Sequence, residues 1–185
     1  MAPKPKKQLT MTRREMLSAP LKELHKNILE LTGATPPQAI APLPAHLLAE
    51  AAEAQLGGDL PGAVERYRDY IKADPNNADV RFALGKCLYA LGQHIQARVE
   101  FERTLMLRKQ DLLATAFLGL TLLRLGKRER AIHVWQGLGP DSENAVHQEL
   151  IAQRDLLEQD PETDVLAVLA RIEPILPADE SPLAG

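Results

Sequence analysis

An all-α solenoid of stacked units is the fold class this sequence predicts, and three observations predict it. The first is a period: Gly58, Gly92 and Gly126 lie 34 residues apart, as do Ala63, Ala97 and Ala131, and the aromatic residues Tyr67, Phe101 and Trp135. A fixed period of this length marks an architecture in which no unit buries its apolar face alone and each stacks on its neighbours. The second is composition, 45% hydrophobic but only 4% aromatic, which suits a helical core of Leu and Ala. The third is the lack of any alternating Val/Ile/Thr run bounded by hairpin turns.

With units opening at Pro44, Ala78 and Leu112, further positions fall into register. Ala51, Gly85 and Gly119 supply a small residue in the first half of each unit, and Leu84 and Leu91 recur as Leu118 and Leu125. Small side chains let two helix axes cross closely, and a large aromatic nearby fills the seam. This pattern resembles the tetratricopeptide repeat (TPR), a pair of antiparallel helices joined by a tight turn, over three repeats covering about 44–143. The resemblance is incomplete. The family's Trp near the start of the first helix is Leu47, Arg81 and Thr115 here, its Tyr one helical surface on is Ala54, Leu88 and Leu122, and its closing Pro survives only as Pro75.

The elements follow in order. Residues 1–12 are basic and Pro-containing and read as a disordered tail. Residues 13–32 read as an amphipathic helical arm: Leu17, Leu21, Leu24, Ile28 and Leu31 form one apolar stripe, flanked by Arg13, Arg14, Lys22 and Lys26. Pro36, Pro37 and Pro42 make 33–43 a stiff linker. Helix pairs are expected at 45–57 and 60–73, 77–91 and 94–108, and 111–125 and 128–137. Gly137, Gly139 and Pro140 break the pattern, and capping helices are expected within 144–176: one over 142–159 and one over 162–175 carrying Val165, Leu166, Val168, Leu169 and Ile172. The first caps the solenoid; the second is either the other half of that cap or a docking element. Residues 177–185 read as a loose tail.

Charge is unevenly spread. Residues 1–31 carry seven Lys/Arg against three Glu, net +4, and residues 140–185 carry two Arg against eleven Asp/Glu, net −9. Such opposed ends steer partners or simply solubilise the chain. Arg124, Lys127, Arg128 and Arg130 cluster at the third turn, but no aromatic platform interleaves with them, so nucleic acid is not the expected partner.

Catalytic chemistry finds little to stand on. His25, His46, His94, His133 and His147 form no metal-ligand spacing, Cys87 is alone, and Gly57-Gly58-Asp59 is the turn of a repeat rather than a phosphate loop. No cofactor, metal site or catalytic residue is therefore expected. Thr12-Arg13-Arg14-Glu15-Met16-Leu17 is similar to a twin-arginine export signal, but Lys22, Glu23, His25 and Lys26 interrupt the apolar region such a signal requires. No stretch is long enough to span a membrane, and the expected location is cytoplasmic, with the basic arm as a route to a membrane surface.

The resemblance also implies a binding site. In this family the first helix of each unit lines a concave groove, which places Leu48, Ala52 and Gln55, then Phe82, Lys86 and Tyr89, then Leu113, Ala116, Leu120, Leu123 and Arg124 on it. Leu48, Ala52, Leu113 and Phe117 stand where the carboxylate-clamp subfamily carries Lys, Asn and Arg, so that clamp is absent. The expected guest is an amphipathic or apolar segment of a protein partner, anchored on Phe82, Tyr89 and Leu120 and oriented through an acidic group by Lys86 and Arg124. Leu113 and Leu123 are expected to be core instead. The function so implied is a non-catalytic adaptor or scaffold, such as an assembly factor or chaperone of a multisubunit complex. The alternative is a membrane- or complex-bound subunit tethered by its arm.

Overall fold

The computed structural model describes residues 45–139 and 143–177, which form eight α-helices and one short 3₁₀ turn, with no strand among them. The tail, the arm with Arg13, Arg14, Leu17, Leu21, Leu24 and Ile28, and the linker fall outside the described residues. Three antiparallel hairpins come first: α1 (Ala45–Leu56) with α2 (Leu60–Ala73), α3 (Ala78–Ala90) with α4 (His94–Leu107), and α5 (Leu112–Arg124) with α6 (Arg128–Gln136). Then come α7 (Ala145–Gln159), α8 (Val165–Ile172) and the 3₁₀ turn Glu173–Ile175. Each helix lies within about three residues of its expected span.

The starts and stops have local causes. Asp59, Asn77, Asp111, Asn144 and Asp164 each cap a helix, their side-chain oxygens accepting from backbone N–H groups such as Gly62 at 3.0 Å and Val80 at 3.1 Å. Within each hairpin the turn is the same Schellman motif. Gly92, at φ +72°, donates its N–H to the Tyr89 carbonyl while Gln93 donates to Leu88; Gly58 and Gly126 repeat this at φ +80° and +68°. A left-handed residue reverses the chain there, which is why glycine recurs at this place.

The small residues do what the period requires. A Cβ added at Gly85 would stand 2.6 Å from the Phe101 ring, and one at Gly119 would stand 2.1 Å from the Trp135 indole. The glycine of one helix thus receives the aromatic of the helix that follows it, with Phe101 and Trp135 wholly buried. The departures from the family pattern are also put to use. At Thr115, which stands where the family has Trp, the side-chain hydroxyl donates to the Asp111 carbonyl at 2.8 Å, while the backbone carbonyl accepts from the Trp135 indole N–H at 3.2 Å. Arg81 donates to Glu100 at 2.7 Å and to the Pro75 carbonyl at 2.7 Å, with both charged side chains almost fully covered.

After the third hairpin the regular pairing stops. α7 packs on α6, but α8 reaches back to α5 as well as to α7. The Arg128 guanidinium donates to the carbonyls of Leu157, Asp160, Pro161 and Thr163, pinning the end of α7 and the loop after it to the start of α6. Val168, Leu169 and Ile172 of α8 and Leu176 beyond it join the same core as the hairpins. Leu166 does not belong to the buried stripe of the final helix, being 66% exposed; helical geometry turns it away from the face that carries 168, 169 and 172.

Two stability outcomes follow. Gly119→Ala should cost about 1–3 kcal/mol in urea unfolding, because the indole is held by its own hydrogen bond and has no room to retreat; Gln93→Ala in the exposed turn should stay within about 0.5 kcal/mol. Arg81→Ala should cost about 1.5–3 kcal/mol by removing the closer of the two cations on a covered carboxylate, which keeps only Arg103 at 3.5 Å. Arg130→Ala, which breaks a 3.6 Å pair on a half-exposed side chain, should cost under about 1 kcal/mol.

Candidate protein-binding face

The nine expected groove residues sit on α1, α3 and α5, and the structure sorts them into three groups. Leu48 and Ala52 on α1 are half-buried, and Gln55 accepts from the Tyr67 hydroxyl at 3.0 Å and lies 3.5 Å from the Cys87 thiol. Phe82, Lys86, Ala116 and Leu120 are buried. Tyr89 and Arg124 meet at the far end.

The second group is a correction. Phe82 and Leu120 were expected to anchor a guest, yet they are 5% and 0% exposed, and Ala116 is likewise sealed. Phe82 meets Phe101 and Phe117 with ring centroids 5.9 and 5.7 Å apart, which makes it part of the aromatic seam between hairpins. Lys86 is not at an open margin either: it is 8% exposed and its ammonium stands 5.7 Å from the Phe82 ring centroid. Its stem is covered while its charge lies over the π face, an amphipathic placement open to lysine. Of the two positions expected to be core, Leu123 is buried, while Leu113 is half-buried against the core.

The third group holds a residue the sequence pattern did not single out. Glu173, one residue past α8, accepts from the Tyr89 hydroxyl at 2.5 Å and from the Arg124 guanidinium at 2.7 Å, both on its Oε1. Arg124 Nε also donates to the Tyr89 hydroxyl at 3.4 Å, so the three groups close into a ring. Phe117 joins them from α5, 5.8 Å from Tyr89 between ring centroids. A cleft of about 450 Å³ opens beside the trio, lined by Tyr89, Ala90, Gly92, His94, Phe117, Arg124, Glu173 and Leu176. The signal for Glu173 was present in the acidic C-terminal charge and in its place beside Ile172 on the final apolar stripe. Its partners, 49 and 84 residues back along the chain, could not be read from it.

Electrostatics in the cleft follow from this ring. Burial, and then the bond to the Glu173 carboxylate, push the Tyr89 phenol well above its ordinary value, so it stays protonated as a donor. The bond to Glu173 raises Arg124 further. His94, whose ring centroid is 5.3 Å from that of Tyr89, is held below its ordinary 6.5, first by desolvation and then by the Arg124 charge, against a smaller opposing pull from Glu173.

Residues 54–117 match the family model for the tetratricopeptide repeat. This match and the consecutive helical hairpins fit a protein built of tetratricopeptide repeats. A search of the curated proteins finds no match to it. TPR repeats generally mediate contacts between proteins and are generally not catalytic. No described helix is long and apolar enough to cross a membrane. The basic cluster at its third turn is dispersed among partners: Arg124 on Glu173, Arg128 on backbone carbonyls, Arg130 on Glu102.

His94 sets a pH dependence. Its folded imidazole binds a proton at lower pH than the unfolded one, so in the interval below 6.5 the unfolded chain holds more protons and stability rises with pH. The stabilisation is therefore complete above 6.5 and is lost as pH falls through the folded value. In urea titrations the wild-type chain should lose stability relative to His94→Gln as pH drops below that point, while the difference between the two should be constant above pH 7.5 or so.

Proposed function

We propose that the protein is a non-catalytic adaptor that holds a helical or extended segment of a partner protein on the face lined by α1, α3 and α5, in the manner of an assembly factor or chaperone of a multisubunit complex. One observation carries this reading. Tyr89 and Arg124, both on that face, converge on a single carboxylate at the end of an amphipathic helix. A phenol and a guanidinium disposed to share one acidic oxygen give direction to a docked segment, and the apolar cleft beside them gives it a place for side chains. The contact surface of the reading is Leu48, Ala52, Tyr89, Phe117 and Arg124, with Gln55, Phe82, Lys86, Ala116 and Leu120 supporting it from beneath.

A second reading, a membrane- or complex-bound subunit tethered by the arm, has the basic residues and apolar stripe of 13–31 in its favour. Capture from native extract with mass-spectrometric identification separates the two. Arg124→Glu should reduce recovery of the partner about tenfold or more, since a charge-assisted bond becomes a repulsion. A chain lacking residues 1–35, shown by circular dichroism to keep its helices, should retain the partner. The opposite pattern, with the partner kept by Arg124→Glu and lost with the arm, would move the function to the terminus.

A further inference from the structure

We infer that residues 165–176 are a resting occupant of the binding face, held in cis by a releasable latch, and that the partner is an amphipathic helical segment of the same chemistry that replaces them. The inference rests on the adaptor reading and adds to it the kind of segment bound and the means by which the empty protein is kept closed.

Four features of the chain carry it. First, α8 packs on α5 as well as on α7, and the residue following it bonds the ends of α3 and α5. Second, its latch is half open to water. The Arg124 and Glu173 side chains are 34% and 32% exposed, and an ion pair in that setting adds little to stability, so an equivalent carboxylate can compete for the same cation. Third, the segment has a fixed point to move about. Arg128 holds the backbone from Leu157 to Thr163, so release of 165–176 breaks the segment's own contacts, the Arg171–Glu149 pair at 3.2 Å and its apolar packing among them, and leaves the loop before it anchored. Fourth, α8 has eight residues, too few for a stable helix by itself in water, and so its order depends on the surface that receives it.

The occupant defines the ligand. Val168, Leu169, Ile172 and Leu176 supply the apolar stripe, and Glu173 follows the third of them directly. The partner segment is therefore an amphipathic helix with three or four aliphatic residues on one face and a carboxylate one residue beyond it. The cleft of about 450 Å³ beside Leu176 leaves room for a larger side chain than the resting segment offers there. A tethered occupant acts at an effective concentration on the order of millimolar, which sets the threshold a partner must exceed.

The test uses the full chain and a labelled synthetic peptide of residues 162–177, read by fluorescence anisotropy. Wild-type protein should bind the peptide weakly, because its own segment competes. Glu173→Gln protein, with the latch loosened and Arg124 intact, should bind about tenfold more tightly, the worth of one charge-assisted bond. A peptide carrying Gln at the Glu173 position should lose that gain, and so should protein carrying both Glu173→Gln and Arg124→Ala. Equal binding to wild-type and Glu173→Gln protein, or equal binding of the two peptides, would overturn the inference. A doubled mass of the Glu173→Gln chain in sedimentation, without peptide, would assign the face to a second copy and overturn the partner. Hydrogen exchange on the wild-type chain keeps the question decidable should the variant fold poorly. Amides of 165–175 should exchange faster than those of α3 and α5 through an opening of their own; exchange only with global unfolding would make the segment core. None of these readouts requires the natural partner, so the inference and the adaptor reading fail separately.

Discussion

Close approach of backbone to aromatic ring is the constraint on which the rest of this structure depends. Gly85 lies under Phe101 and Gly119 under Trp135, with no space for even one added carbon. Once those contacts are made, each hairpin has one crossing geometry and the next hairpin has one seat. The Schellman glycines serve the same end from outside the interface, turning the chain so that the aromatic returns sixteen residues later onto the small residue that receives it. The positions that depart from the family pattern do not disturb this seam. Thr115 supplies a carbonyl to the indole, and Arg81 fills its place with a paired charge rather than a ring.

A solenoid ends with an apolar face that must be covered, and this chain covers it with more than the required helix. α7 caps the third hairpin; α8 turns back across the first helices and delivers Glu173 to Tyr89 and Arg124. The same sealing explains why the expected anchors lie beneath the surface. With Phe82, Lys86 and Leu120 committed to packing between hairpins, the polar recognition that remains within reach is concentrated at the ends of α3 and α5. His94 has a depressed proton affinity, since the imidazole is partly shut off from water and then also shares the cleft with a guanidinium.

The all-α class, the period, the helix boundaries to within a few residues and the identity of the seam residues are all written in the order of the amino acids. These are legible because they rest on local physics. Gly58, Gly92 and Gly126 mark a backbone conformation, Asn77 and Asp111 mark helix starts, and a small residue repeating against an aromatic marks a crossing, each readable within one unit and confirmed by its recurrence in the next. The sequence also showed a final helix carrying Val165, Leu166, Val168, Leu169 and Ile172 within an acidic C-terminal region. Which first-helix side chains are sealed and which stay open, and where that last helix goes, came only from the folded packing. Phe82, Tyr89 and Leu120 all fall on the expected groove face, because the periodic pattern defines a face of a helix but not what lies over it. Glu173 reaches Tyr89 across 84 residues, and no local pattern encodes a contact made only when α8 packs on α5 as well as on its neighbour α7. The period holds between adjacent units; the return of the chain onto its own face is a single, non-repeating event, and it is fixed by packing.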